Sequence, residues 1–222
     1  IDGGGNTGII SKDGAINITA TNFARGNNCY GVFVDNGGQI SSTNTGTIGA
    51  SITINASHDG TVTGRTKTGM RMDVGSKVES HTGNINITAN GGGNAATNYG
   101  LHLLGGSTIQ SLGTGVTAAT MTINGTGGIG TNDCSGVVLA SGSNILSTDG
   151  NITLTGIAQG TGSGCIGTEI TSGASIQSAG NGVNAATITV TGTASTTLPT
   201  GGTNNCFGID LNGSNITSVD GD

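Results

Sequence analysis

Twelve carboxylates, three histidines and four cysteines are the residues of this 222-residue chain suited to acid–base, metal or thiol chemistry. Two carboxylates flanking one glycosidic bond can cleave it, and carboxylates grouped with other oxygens can hold calcium. The acids are Asp2, Asp13, Asp35, Asp59, Asp73, Glu79, Asp133, Asp149, Glu169, Asp210, Asp220 and Asp222. Only Asp35 with Asp73, and Glu169 with Asp210, recur at equivalent places in the repeat set out below; the others read as solvated acids. His58, His81 and His102 fall at three different places, make no ligand set and read as surface histidines. Cys29, Cys134, Cys165 and Cys206 each stand two places before a recurring glycine, where Lys67 and Asn98 stand in the other copies. One such column supplies neither a tetrahedral metal set nor a nucleophile with a histidine in register. It is expected at a surface corner, and no metal or cofactor is expected.

These residues hang on a repeat of three short strands. Strand A opens with a glycine and alternates, as in Gly31-Val32-Phe33-Val34 and Gly100-Leu101-His102-Leu103. Its outward column, Phe33, Arg71, His102, Val138, Glu169 and Asp210, reads as a solvated face. Strand B is an Ile or Val followed two places on by serine, which gives Ser11, Ser42, Ser80, Ser111, Ser147, Ser178 and Ser218. Period-two parity points these serines inward, as a ladder able to bond along itself and to the backbone. Strand C alternates most strictly, as in Ile16-Asn17-Ile18-Thr19 and Ile152-Thr153-Leu154-Thr155, and an Ala or Gly follows each copy. Its outward pairs are Asn17/Thr19, Thr53/Asn55, Asn86/Thr88, Thr122/Asn124, Thr153/Thr155 and Thr189/Thr191.

From the serine to strand C the spacing alternates 5, 10, 5, 10, 5, 10. The short form is a Gly turn such as Asp13-Gly14 or Asp149-Gly150; the long form adds a Gly and a later Ala, as in Gly115/Ala119 and Gly182/Ala186. Residues 1–222 therefore read as one β-solenoid segment of three two-coil units, about 15–83, 84–150 and 151–221, with the long corners protruding. One coil cannot bury a core alone, so coils must stack, each strand pairing with its copies ~4.8 Å above and below. The fold class is all-β: a parallel β-helix, right-handed by its three-strand style, of six to seven coils. Val32, Ile54, Leu103, Ile145 and Ile188 are expected inside, and Thr53, Thr122 and Thr189 exposed on a flat face. In-register cysteines of neighbouring coils would have Cα atoms ~4.8 Å apart, inside the ~4.4–6.8 Å range of a disulfide. Cys134–Cys165 or Cys165–Cys206 would then pair, not both, leaving Cys29 free.

Composition narrows the function classes. Gly contributes 45 residues, charged residues 8% and aromatics 2%, with a net charge of −6. No basic stripe exists to neutralise phosphates, so nucleic acid is not an expected partner. No apolar run approaches a membrane span. Little charge with much Thr and Asn suits an extracellular or cell-surface location. All six Lys and Arg fall in residues 1–77, against five acids, while residues 78–222 carry seven acids alone. Open strand edges with this polarity are expected either to continue into further coils or to pair head to tail with another copy.

The phrases NNCYGVFVDNGGQISS, GNINITANGGGNAATNYGLHLLGGSTIQS and DGNITLTGIAQGTGSGC resemble the strand repeats of giant bacterial surface proteins, the filamentous-haemagglutinin-like adhesins. The resemblance implies a secreted β-helix used in adhesion, scaffolding or display, with cell-surface glycans or matrix as partners, and carries no catalytic residue. Two alternatives stand beside it. The Thr/Asn columns of strand C resemble the ice-binding faces of some solenoids and would equally suit sugar. A polysaccharide lyase or hydrolase of the pectate-lyase type shares the architecture. A non-enzymatic structural or adhesive module is the reading the residues favour.

Overall fold

The computed structural model describes residues 1–2, 7–46, 49–59, 66–94, 96–181, 185–195 and 205–220. Gly182 of one long corner, Gly221 and Asp222 lie outside these. Among the described residues nineteen strands form three parallel sheets. The strand A sheet comprises β3 (Cys29–Val34), β6 (Lys67–Met72), β9 (Leu101–Leu103), β12 (Val137–Leu139), β15 (Thr168–Thr171) and β18 (Ile209–Asn212). The strand B sheet comprises β1 (Gly8–Ser11), β4 (Gln39–Ser42), β7 (Lys77–Ser80), β10 (Thr108–Ser111), β13 (Asn144–Ser147), β16 (Ser175–Ser178) and β19 (Asn215–Ser218). The strand C sheet comprises β2 (Ile16–Asn22), β5 (Ile52–His58), β8 (Ile85–Asn90), β11 (Met121–Thr126), β14 (Ile152–Ile157) and β17 (Ile188–Thr193). In each sheet the neighbours are consecutive coils. The molecule is a parallel β-helix with three strands per coil.

Pairing is like on like: Ile9 on Ile40, Ile123 on Leu154, Leu103 on Leu139. The inward Ile, Val, Leu and Met residues of all three sheets make one continuous core. Burying each such side chain stabilises by about 1.5–3 kcal/mol. Val32, Ile54, Leu103 and Ile145 are buried. Ile188 is only half-buried, because β17 ends its sheet and has no strand on its far side. Thr53 and Thr122 are half-buried rather than fully exposed, since rungs flank them on both sides; Thr189, at the end, is exposed.

The A-to-B connection is a tight turn repeated coil after coil. Gly38 N donates to Asp35 O (2.9 Å), Ser107 N to Leu104 O (3.0 Å) and Ala174 N to Thr171 O (3.1 Å). Both central residues have positive φ: Asn36 and Gly37, Val74 and Gly75, Ser141 and Gly142, Ser172 and Gly173. That is the geometry of a type I′ turn. Successive turns also bond each other, Gly37 N to Val74 O and Gly75 N to Gly105 O, both at 2.9 Å.

The recurring strand A glycine has a different purpose. A Cβ on Gly69, Gly100, Gly136 or Gly167 would overlap the backbone nitrogen of Asn90, Thr126, Ile157 or Thr193 in strand C. Opposite stand the inward Ala89, Gly125, Gly156 and Gly192. The A and C sheets thus touch backbone to backbone along a seam of small residues. This seam separates the main core from a smaller chamber behind it.

Candidate functional site

That second chamber holds the cysteine column, which corrects the expected surface corner. Cys29, Cys134 and Cys165 are buried and Cys206 half-buried. Lys67 and Asn98, in the same column, are 0% exposed. Counting back by two from Val32 would place Cys29 outside, but the chain turns at the seam glycine and brings the column in. Carbonyls satisfy it: Cys29 Sγ donates to Gly26 O (3.2 Å), Cys134 Sγ to Asn132 O (3.1 Å) and Asn98 Nδ2 to Gly93 O (3.0 Å). Lys67 Nζ donates to Ala24 O (3.1 Å) and Gly26 O. His58 is here too, 4% exposed rather than on the surface, with Nδ1 on Asp59 O (2.8 Å) and Nε2 on Ala24 O (3.2 Å). All four cysteines are free thiols in this structure.

The strand B serines face inward; Ser42, Ser80, Ser111, Ser147 and Ser178 are buried and the end members Ser11 and Ser218 half-buried. They do not bond along themselves. A rung of ~4.8 Å is too long for the ~2.7–2.8 Å of an O–H···O bond. Ser11 and Ser147 instead donate to Gly14 O and Gly150 O at the short corners. Ser178 donates to Thr148 O (3.4 Å) and Ser218 to Ala186 O (3.5 Å). The hydroxyls of Ser42, Ser80 and Ser111 have no hydrogen-bond partner among the described residues.

Strand C presents the two outward columns in register: Asn17 and Thr19 on Thr53 and Asn55, these on Asn86 and Thr88, then Thr122 and Asn124, Thr153 and Thr155, Thr189 and Thr191. A third column joins them, Thr21, Ser57, Asn90, Thr126, Ile157 and Thr193, because each strand runs past the seam residue. Thr21 and Ser57 share a hydroxyl–hydroxyl bond of 2.9 Å. The Ala or Gly after each four-residue alternation reads as a strand end, which hides this column from the sequence.

The outward column of strand A is not the solvated face its variety suggests. Its members stack Phe33, Arg71, His102, Val138, Glu169, Asp210 in register. Val138 is buried and the rest half-buried. Arg71 donates to Asp73 Oδ2 (2.6 Å) and to the Tyr30 hydroxyl (3.0 Å). Its guanidinium carbon lies 5.4 Å from the Tyr30 ring centroid and 5.9 Å from that of Phe33, and these two rings are 4.9 Å apart. Tyr99 packs on His102 at 4.5 Å. Burial, then the adjacent Arg71 charge, pull the His102 pKa down to about 3, so this imidazole is neutral near pH 7. Burial, then Asp210 and Asp133, raise Glu169, and burial raises Tyr99. Asp35 and Asp73 are tied to their turns by Asn36 N (2.8 Å) and Val74 N (3.0 Å).

At the B-to-C corner the long connections flank short ones and leave notches two coils apart. One, of about 360 Å³, is bounded by Val116, Ala118, Asp149, Asn151 and Thr187; another by Thr45, His81, Thr82 and Thr114. Val116 at one rim is 92% exposed, while Ala50, Ala119 and Ala186 anchor the long corners inside. Among the described residues no helix is long and apolar enough to cross a membrane. No family model, curated protein or solved structure matches the chain.

Proposed function

We propose that this chain is a structural and adhesive module of an extracellular β-helix fibre that meets sugar on its strand A face. The observation that carries the reading is the composition of that face. Tyr30, Phe33 and Tyr99, three of the chain's five Tyr and Phe residues, gather there with Arg71, Asp73 and His102. Rings offer surfaces for the apolar faces of pyranoses, and a guanidinium beside a carboxylate offers donors and acceptors for hydroxyls. The strand C face offers Thr and Asn but no ring.

The fibre part of the reading is supported by the like-on-like pairing of consecutive coils, a pattern that any further coil would extend. Ile9 is 40% exposed at one end, Ile209 45% and Leu211 49% at the other, whereas Ile40, Val137 and Leu139 in the same columns are 0% exposed. Further coils of the same kind, or a second copy, would bury these residues and pair the strand edges.

A glycan panel tests it. Binding is expected for the parent and for Thr122→Ala/Thr153→Ala, and is lost in Tyr30→Ala/Arg71→Ala. Binding that follows the strand C substitutions instead, or no binding at all, refutes the assignment. Release of unsaturated or reducing sugar would point to the lyase or hydrolase, and thermal hysteresis to ice.

A further inference from the structure

We propose that Cys134 and Cys165 form a two-coordinate thiolate site for a soft monovalent cation of the Cu(I) class. The two residues occupy the same place in consecutive coils: the bridge Asn132–Ser163 sets the register just before them, and Val137–Thr168 continues it just after. Both are 0% exposed, in a small cluster with Ala158 and Cys206. Both sulfurs face one point. A Cβ on Gly160 would overlap Cys165 Sγ, Cys134 Cβ and Cys134 Sγ, so only a glycine there lets the two cysteines lie side by side.

The rung spacing brings the two thiols within bridging reach. In-register residues of neighbouring parallel strands keep their Cα atoms ~4.8 Å apart, inside the ~4.4–6.8 Å that a disulfide also spans. A linear S–metal–S unit spans about two metal–sulfur bonds and matches a rung without moving the backbone. Soft thiolates prefer such cations to hard ones. Among the described residues no three or more His, Cys, Asp or Glu side chains surround one point, so a tetrahedral zinc site is not offered. Binding exchanges protons for metal: two thiols and one monovalent cation give a bis-thiolate complex of charge −1 and two protons.

Reduced protein is titrated anaerobically with Cu(I) delivered as its bicinchoninate complex, with Ag(I) as a redox-inert second probe. One equivalent per chain is expected to transfer, with a rise in Tm and the loss of two titratable thiols. Cys134→Ser and Cys165→Ser should each lose this equivalent, whereas Cys29→Ser, in the same column but near the other end, should keep it. Circular dichroism of each variant checks that the coil is intact, and the two single variants stand in for one another if either misfolds. Retention of the metal by the chelator, undiminished binding by Cys134→Ser and Cys165→Ser, or loss in Cys29→Ser overturns the proposal. So does a Cys134–Cys165 disulfide found by mass spectrometry in protein isolated without reductant.

Discussion

At the scale of single residues, two kinds of local cost are open to measurement. Val74 sits at φ +44°, where its counterparts are Asn36, Gly105, Ser141 and Ser172. A β-branched residue in the left-handed region is strained by about 1–2 kcal/mol. Val74→Asn is therefore expected to raise Tm, and an unchanged or lower Tm would show that the turn does not strain this residue. Titration gives the second test. Glu169 is raised above its unfolded pKa, so in the window between the two values the native state keeps a proton the unfolded chain has lost. Stability falls as pH rises through that window and stays reduced above it. Glu169→Gln should raise Tm at pH 7 and lose that advantage well below the ordinary Glu pKa of about 4.3. His102 has the opposite sign. Its folded pKa of about 3 lies below the ordinary ~6.5, so the unfolded chain takes the proton first and stability falls as pH drops between those values. The Tm difference between His102→Gln and the parent, taken at pH 7 and pH 4, should move in favour of the variant at the lower pH. A difference independent of pH would remove the buried neutral imidazole from the account.

At the scale of elements, the seam between the A and C sheets decides how closely a coil can close. Gly136→Ala would force a methyl into Ile157 N and Gly125 O. Overpacking a rigid contact typically costs about 1–3 kcal/mol, and backbone yields less readily than side chain. Gly26→Ala is the matched control, because its nearest neighbour, Cys29 Sγ, would be at an ordinary 3.8 Å. The first should lower Tm by several degrees and the second only slightly. Equal effects would mean that glycine content, and not close approach, keeps these residues small. The serine ladder belongs at this scale as well. Parity reads its direction correctly but not its partners: Ser11 and Ser147 reach the Gly carbonyl of a short corner, whereas Ser80, before a corner of the same length, has no partner among the described residues.

At the scale of the whole molecule, the ends dominate. Ile209, Leu211 and Ile216 leave a row of core side chains exposed beside the unpaired edges of β18 and β19. If axial pairing buries them, Ile209→Asp/Leu211→Asp should shift the sedimentation of this segment toward monomer while changing its circular dichroism little. Moderate salt should matter less than the substitutions, since backbone pairing and apolar burial drive the contact and the charge polarity only orients it. A parent chain that sediments as a monomer at all concentrations would leave axial continuation within a longer chain as the one form of the fibre reading still standing.

Repeat spacing alone sets the coil, the three-strand cross-section and the rung-by-rung register. It could do so because stacking puts like on like, and a period-two alternation such as Ile16-Asn17-Ile18-Thr19, repeated in every copy, allows one inside and one outside. What lies beyond the small-residue seam depends on how the coil closes in three dimensions. Alternation holds along a strand but not around the seam glycine, so counting from Val32 put Cys29 outside when the closing coil takes it in. The strand A face was hidden for a related reason. Tyr30 and Arg71 are 41 residues apart, Tyr99 and His102 belong to the next coil, and all four positions vary from copy to copy, so no repeat pattern announces them. Arg71 meets Tyr30 and His102 because the rungs set them side by side, while Tyr99 packs on His102 within one coil.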